Sequence, residues 1–366
     1  MITVLVDTFY LKAAPAGIKT YINQLIYSSK SSGSKNIKYI YTYDINKKNT
    51  QSFLNSKNRV IRWLFQIKYF VWKQIVLPIK CVVYKPDILL CPDYILPFWK
   101  LNLKKIVVLH DALFWKNKED YSMLWRLYFL KTINLGIDNN TLIVTTSQFS
   151  KNSLKKVLRK KNNIEIIYQS CSEKLFKDNS KTEKQILHVG SFEKRKNLMT
   201  LVKAFSEIKL NPLYKDFKLI LVGSTNFFGN KSEFNFIQDF ISKNNLKRDV
   251  IIKGHLSDEK IRKLYSKAFM YVFPSKSEGF GIPLIESFLA KLPVVCSDIE
   301  VFQEIGKDAV LSFDKNNHID LASKIQLVIQ SKELRKELIN KGSKRVKLFS
   351  NQNFINSYEK LFKSIL

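Results

Sequence analysis

Residues 273–287 read Phe273-Pro274-Ser275-Lys276-Ser277-Glu278-Gly279-Phe280-Gly281-Ile282-Pro283-Leu284-Ile285-Glu286-Ser287. The stretch begins as the end of an apolar strand and passes through a Gly-x-Gly turn. It then enters a helix whose first turn carries Pro283, where a missing N–H costs nothing. Free amides at such a helix start attract an anion, and two glycines let the backbone approach a phosphate or a sugar closely. Glu278 and Glu286 flank the turn with seven residues between them. Carboxylates accept hydrogen bonds in pairs, which suits the neighbouring hydroxyls of a sugar or a ribose. Taken alone, Glu286 also fits an exposed helix position, and a lone Gly-x-Gly carries little weight.

The same alternation of strand, turn and helix extends over the whole chain, the signature of βαβ units and parallel sheets. Candidate strands in the first half are Ile2–Val6, Ile37–Tyr41, Ile88–Cys91, Lys105–Leu109, Leu142–Thr145 and Ile164–Ile167. In the second half they are Gln185–Val189, Lys218–Val222, Val250–Lys253, Met270–Phe273, Pro293–Cys296 and Ala309–Ser312. Helical periodicity fills most gaps, as at Thr200–Glu207, Asp258–Ala268 and Phe354–Leu366. A chain of 366 residues with 45% apolar side chains suits two α/β domains, 1–175 and 176–353, linked through the polar segment Ser172–Lys184.

The formal charge of +30 attracts polyanions such as nucleic acid, anionic lipid or a diphosphate. A compositional bias towards Lys on solvated surfaces explains it equally, so charge alone selects no partner. No nucleic-acid recognition motif or clustered basic helix accompanies it, so nucleic acid is not expected as a partner. Cys81, Cys91, Cys171 and Cys296 are scattered, which indicates neither a disulfide framework nor a zinc site and fits a reducing compartment. The N-terminus reads as a buried strand rather than a signal sequence, and no window approaches a membrane span. The segment Arg59–Lys80 interleaves aromatics with cations. An interfacial helix fits it, but its many aromatics favour a core helix with a basic outer face, ended near Pro78.

Two further segments bear on chemistry. His188-Val189-Gly190-Ser191-Phe192-Glu193-Lys194-Arg195-Lys196-Asn197-Leu198 is a strand, a glycine turn and a basic cluster before a helix. Two cations beside such a turn can neutralise a diphosphate leaving group. Val107-Val108-Leu109-His110-Asp111 is a strand ending in His-Asp, at the edge where α/β sheets place ligands.

The string from Phe273 to Ser287, continued by Leu292-Pro293-Val294-Val295-Cys296-Ser297-Asp298, Glu304 and Asp308-Ala309, resembles the glutamate–seven–glutamate signature of the retaining glycosyltransferases called family 4, of the GT-B fold. The segment from Gly190 to Leu198 is similar to that family's Gly-x-x-x-x-Arg-Lys-Asn-Leu element. The resemblance covers about Gly17 to Asp308. Two departures stand out: Tyr168-Gln169-Ser170-Cys171-Ser172 replaces the usual glycine turn at the end of the first domain, and Ala290-Lys291 replaces a small-Gly pair.

The resemblance implies two facing Rossmann-like domains with parallel sheets and a cleft between them, the helix at 354–366 packing back on the first. It implies a nucleoside diphosphate sugar as donor. Arg195 and Lys196 would hold the diphosphate, Glu278 with the amides of Gly279, Phe280 and Gly281 the sugar, and Glu286 the ribose. Gly17 would bring backbone near the donor phosphate, His110 would contact the transferred sugar, and Asp111 would face the acceptor. No Asp-x-Asp is present, so no metal and no other cofactor is expected. The implied activity is retaining transfer of a mannose- or rhamnose-like sugar to a glycan or lipid-diphosphate-linked acceptor in surface polysaccharide assembly. The implied setting is cytoplasmic, with peripheral contact to the anionic inner face of the membrane. A sugar-nucleotide epimerase or hydrolase of the same fold, or a catalytically silent binding protein, remain the alternatives.

Overall fold

The computed structural model describes residues 1–12, 16–43, 59–116, 123–158, 163–171, 182–225 and 233–366. Most of the expected polar linker, residues 172–181, lies outside the described residues. The described residues divide into two compact units, Met1–Ser170 with Asn351–Leu366, and Cys171–Ser350.

In the first unit β1 (Ile2–Val6), β2 (Ile37–Tyr41), β3 (Ile88–Cys91), β4 (Lys104–Val108), β5 (Thr141–Thr145) and β6 (Ile164–Ile166) form one sheet. Its order is β2-β1-β3-β4-β5-β6, and all pairs are parallel. The strands are short apolar runs because helices cover both faces of a parallel sheet, so both sides of each strand need apolar residues. The helices of this unit are α1 (Ala16–Ser31), α2 (Arg59–Val71), α3 (Leu77–Tyr84), α4 (Leu113–Lys116), α5 (Met123–Gly136) and α6 (Gln148–Val157). Ser147 caps α6, its hydroxyl accepting from the Ser150 amide at 3.0 Å. The final helix, Asn351–Ile365, also belongs to this unit. It buries Phe354, Tyr358 and Phe362 against α1 and the sheet, with the Tyr358 and Tyr21 hydroxyls hydrogen-bonded.

The second unit holds β7 (Gln185–Val189), β8 (Lys218–Val222), β9 (Val250–Lys253), β10 (Met270–Phe273), β11 (Val294–Ser297) and β12 (Leu311–Phe313). The order is β12-β11-β10-β7-β8-β9, again wholly parallel. This is the dinucleotide-binding strand order, whose direction of growth reverses between β7 and β10. Its helices include α7 (Leu198–Lys209), α8 (Phe234–Lys243), α9 (Asp258–Lys267) and α10 (Ile282–Leu289). Strand β11 starts one residue later than the sequence suggests because Pro293 has no amide to give the ladder. The Pro293 carbonyl still accepts from Tyr271 at 3.1 Å. Ala309 sits in a 3₁₀ turn, so β12 starts at Leu311.

The segment from Arg59 packs its inner face into the core as expected, but it corrects the expectation of a basic outer face and of an end near Pro78. Helix α2 passes through a π turn, Trp72–Val76, directly into α3, and Pro78 does not end it. Proline removes one backbone donor, which strands the carbonyl four residues back. Here the Gln74 carbonyl accepts from the Trp99 indole N–H at 2.5 Å instead. The inner face joins the core through Phe65, Tyr69, Leu77 and Cys81, but the outer face is largely apolar rather than basic. Lys73 is fully buried, whereas Trp63, Leu64, Ile67, Ile75, Ile79 and Val82 are exposed.

Candidate active site

The two motifs of the second unit come together at the carboxyl ends of β7 and β10, the strands that flank the reversal of its sheet. That crevice is where open α/β sheets bind ligands. After β7 the chain turns at Gly190, where an added Cβ would lie 2.7 Å from His188 Nε2. At Gly223, after β8, a Cβ would fall 1.8 Å from the Gly190 carbonyl oxygen, so the second turn can approach the first only as glycine. A 3₁₀ turn over Lys194–Lys196 follows, closed by Asn197 in the left-handed region. The Asn197 amide group donates to the carbonyls of Pro274, at 3.0 Å, and Lys315, at 2.8 Å. Asparagine tolerates this backbone better than most residues, and its side chain ties the basic turn to the loop after β10.

That tie aims both cations at one carboxylate. Lys196 Nζ donates to Glu278 Oε1 at 2.5 Å, and Arg195 Nη1 donates to Oε2 at 3.2 Å. The Ser275 hydroxyl donates to Oε1 at 2.8 Å. Burial works to raise the Glu278 pKa, but Lys196 and Arg195 together overcome it and hold the group at about 2. Lys196 is itself buried and its pKa is lowered by that burial, with Glu278 opposing. Arg195 Nε also donates to Glu193 Oε2 at 2.6 Å, and Ser191 donates to the other oxygen of Glu193 at 2.9 Å. Two cations thus face two carboxylates, a balanced cluster able to exchange its internal anions for an incoming one.

Gly281 takes φ 100° and precedes α10, whose second residue is Pro283. A Cβ at Gly281 would meet the Phe302 ring at 3.0 Å, so glycine is required on both conformational and steric grounds. The Phe280 ring is buried edge-on against Phe349, 5.8 Å between centroids. Its contribution to a ligand would therefore be backbone. Glu286 stands apart from the Glu278 cluster on α10. Its Oε2 accepts from the Tyr265 hydroxyl at 3.0 Å, and burial raises its pKa to about 7 against that bond's lowering effect.

His110, Asp111 and Gly17 belong to the first unit. His110 follows β4 and is buried, its Nε2–H donating to the Pro92 carbonyl at 2.9 Å. Burial lowers its pKa to about 4, with that bond opposing, so the ring is neutral and Nδ1 is an acceptor. The Tyr21 ring of α1 meets it edge-on at 4.8 Å. Asp111 accepts from the Tyr94 hydroxyl at 3.1 Å and the Leu113 amide at 3.0 Å. Gly17, in the first turn of α1, is exposed, with nothing within 4 Å of where a Cβ would sit. Asp7, Cys91 and Asp93 also cluster at this sheet edge with metal-ligand spacing. The cation among them is Lys73, 2.7 Å from Asp7 and 2.6 Å from Asp93.

Residues 172–345 fit the family described as glycosyl transferases group 1. The chain is 30% identical over 270 residues to the uncharacterized glycosyltransferase MJ1178 of Methanocaldococcus jannaschii, spanning 73% of this chain and 70% of that one. The chain belongs to the group 1 glycosyltransferases. A second relative is the O-antigen chain mannosyltransferase B of Escherichia coli, 25% identical over 295 residues, 76% of this chain and 75% of that one. Among solved structures, Anabaena HepE in complex with UDP and glucose superposes with a TM-score of 0.72 at 15% identity, covering all of both chains. The glycosyltransferase therefore has the GT-B fold, built from two Rossmann-like units.

Sequence reasoning assigned no role to Glu193, Ser275 or Tyr265. Glu193 lay inside the quoted motif, and its spacing of two from Arg195 was the available signal. Tyr265 had none, since it reaches Glu286 across 21 positions.

Proposed function

We propose that this glycosyltransferase is a retaining, family 4 hexosyltransferase working on a nucleoside diphosphate sugar. The acceptor is a hydroxyl of a glycan or lipid-diphosphate-linked chain in bacterial surface polysaccharide assembly. The reaction runs at the inner face of the cytoplasmic membrane without a metal. The observation that carries the reading is the Arg195–Lys196–Glu278 cluster at the strand ends flanking the switch point of the second unit. The mannosyltransferase named above supports the sugar class, and the UDP complex of HepE supports the donor class.

In this reading the diphosphate takes the place of the internal carboxylates on Arg195 and Lys196. Glu278 and the backbone of Gly279–Gly281 receive the sugar hydroxyls, and Glu286 the ribose. The anomeric carbon–oxygen bond to the diphosphate breaks as the bond to the acceptor oxygen forms on the same face. The departing phosphate oxygen takes the acceptor proton. Neutral His110 accepts a hydrogen bond from the sugar, and Asp111 lies on the acceptor side.

The test is thermal unfolding against a panel of nucleoside diphosphates and their sugars. A cognate ligand at a hundred times its dissociation constant should add about 2.7 kcal/mol, several degrees in melting temperature. In Glu278→Ala the shift by the sugar nucleotide should fall towards that of the bare diphosphate. A folded protein that no nucleotide stabilises would sink the donor-site assignment.

Glu286 adds a pH signature. If only its carboxylate accepts both ribose hydroxyls, nucleotide affinity should weaken about tenfold from pH 8 to pH 6, as the group of pKa about 7 gains its proton. Calorimetric titration of Glu286→Gln should show weak, pH-independent binding. An unchanged pH profile in that variant would remove Glu286 from the ribose site.

A further inference from the structure

The outer face of α2 and α3 is apolar although the inner face already packs Phe65, Tyr69, Leu77 and Cys81 into the core. The buried side also carries the cation Lys73, ion-paired to Asp7 and Asp93, while the solvent side carries Trp63, Val82 and Val83 at 64%, 69% and 68% exposure. The patch does not stop at one helix. Phe70 of α2 packs near Phe98 and near Tyr128 of α5, ring centroids 5.9 and 6.4 Å apart, so α5 and the loop carrying exposed Trp99 lie beside it. Helix α5 exposes Met123, Leu124 and Leu127 in turn. A contiguous apolar face of this extent marks an interaction surface rather than scattered exposure.

Charge identifies the occupant. Neither 59–84 nor 123–136 contains a single Asp or Glu. The charges that remain at the surface are cations, Lys68 and Lys131 among them. A second copy of a chain of formal charge +30 would bring like charge against like. Apolar and aromatic side chains fringed by lysine, with no acid, suit the boundary of an anionic bilayer. There indole and phenol rings sit at headgroup depth, and lysines reach phosphate. Among the described residues no helix is long and apolar enough to cross a membrane, so the contact would lie in the interface plane.

We infer that the outer face of α2, α3 and α5 is a docking surface for anionic phospholipid, with the Lys73 ion pairs anchoring it to the sheet from beneath. This deepens the peripheral-membrane part of the function proposed above and rests on it for the class of surface. Anchoring matters here because a helix held only by its apolar contacts could turn that face inward. The buried Lys73–Asp7 and Lys73–Asp93 pairs forbid this, since rotating the helix would strip two carboxylates of their cation.

The test is cosedimentation with vesicles of phosphatidylcholine alone and of phosphatidylcholine mixed with phosphatidylglycerol. It compares the full chain with the triple variant Trp63→Ser, Val82→Ser, Val83→Ser. The wild-type chain should partition onto the anionic vesicles at least about tenfold more than onto the neutral ones. Its tryptophan emission should move to shorter wavelength as Trp63 and Trp99 leave water. The triple variant should lose about tenfold or more of that partitioning while still binding nucleoside diphosphate in lipid-free buffer. Nucleotide binding reads the donor site separately, so failure of one assignment is distinguishable from failure of the other. A wild-type chain that stays in the supernatant with both vesicles would overturn the proposal. So would a triple variant that binds anionic vesicles as well as wild type, or a lipid-free dimer that the substitutions convert to monomer.

Discussion

Lys196→Ala is expected to lower kcat/KM for sugar transfer by about a hundred- to a thousand-fold, the cost of removing one preorganised donor from a developing negative charge. The ammonium is buried and 2.5 Å from Glu278, so it meets a ligand already stripped of water, where its charge counts for more than at the surface. Arg195 alone cannot replace it. Its guanidinium is shared between Glu278 and Glu193, and its contact to Glu278 is the longer of the two at 3.2 Å. The measurement is steady-state transfer together with nucleoside diphosphate affinity. Both should fall, the affinity for the bare diphosphate included, because the charge being neutralised is on the leaving group. A variant that loses thermal stability yet binds diphosphate like wild type would make Lys196 a structural partner of Glu278 and nothing more.

The candidate site was readable in the sequence because its parts are local. Gly190, Arg195 and Lys196 fall within one strand-to-helix turn, and Glu278 and Gly281 within another, so spacing along the chain stands in for spacing in the fold. Strand order then did what neither motif could do alone, placing both turns at adjacent strand ends. Pairings across long separations were not legible. Tyr265 finds Glu286 across 21 positions, and Asn197 finds the Pro274 and Lys315 carbonyls across 77 and 118. The segment from Arg59 misled for a different reason. Counting its aromatics gives the size of the apolar surface but not which side is buried. The buried side holds Phe65, Tyr69, Leu77 and Cys81 together with Lys73, whose partners Asp7 and Asp93 lie 66 and 20 positions away.

Lys73→Met should destabilise the first unit by about 3–5 kcal/mol at pH 8, the cost of breaking a buried ion pair from one side. Methionine fills nearly the same volume, so the loss is electrostatic rather than a cavity. Lys73 and Asp7 are fully buried, and Asp93 nearly so. Asp7 keeps hydrogen bonds from the Phe9 amide, Thr42 and Trp72, and Asp93 keeps one from Tyr69, but neither retains a counter-ion. In the intact protein burial already raises the Asp93 pKa to about 6, with Lys73 opposing and Asp7 reinforcing. A carboxyl whose folded pKa is raised favours the folded state most where it is protonated, and that advantage fades as pH climbs through the folded value. Without Lys73 the Asp93 carboxyl is pushed further up, and Asp7 loses the cation that holds its pKa below the usual carboxylate value against burial. The deficit of the variant should therefore be greatest at pH 8 and shrink as pH falls through 6, and adding Asp93→Asn should recover part of it. All five tryptophans lie within the first unit, so urea unfolding followed by their fluorescence reports on this unit directly. A loss below about 1 kcal/mol that does not vary with pH would mean the two carboxylates are solvated, and the anchor beneath the apolar face would be lost with them.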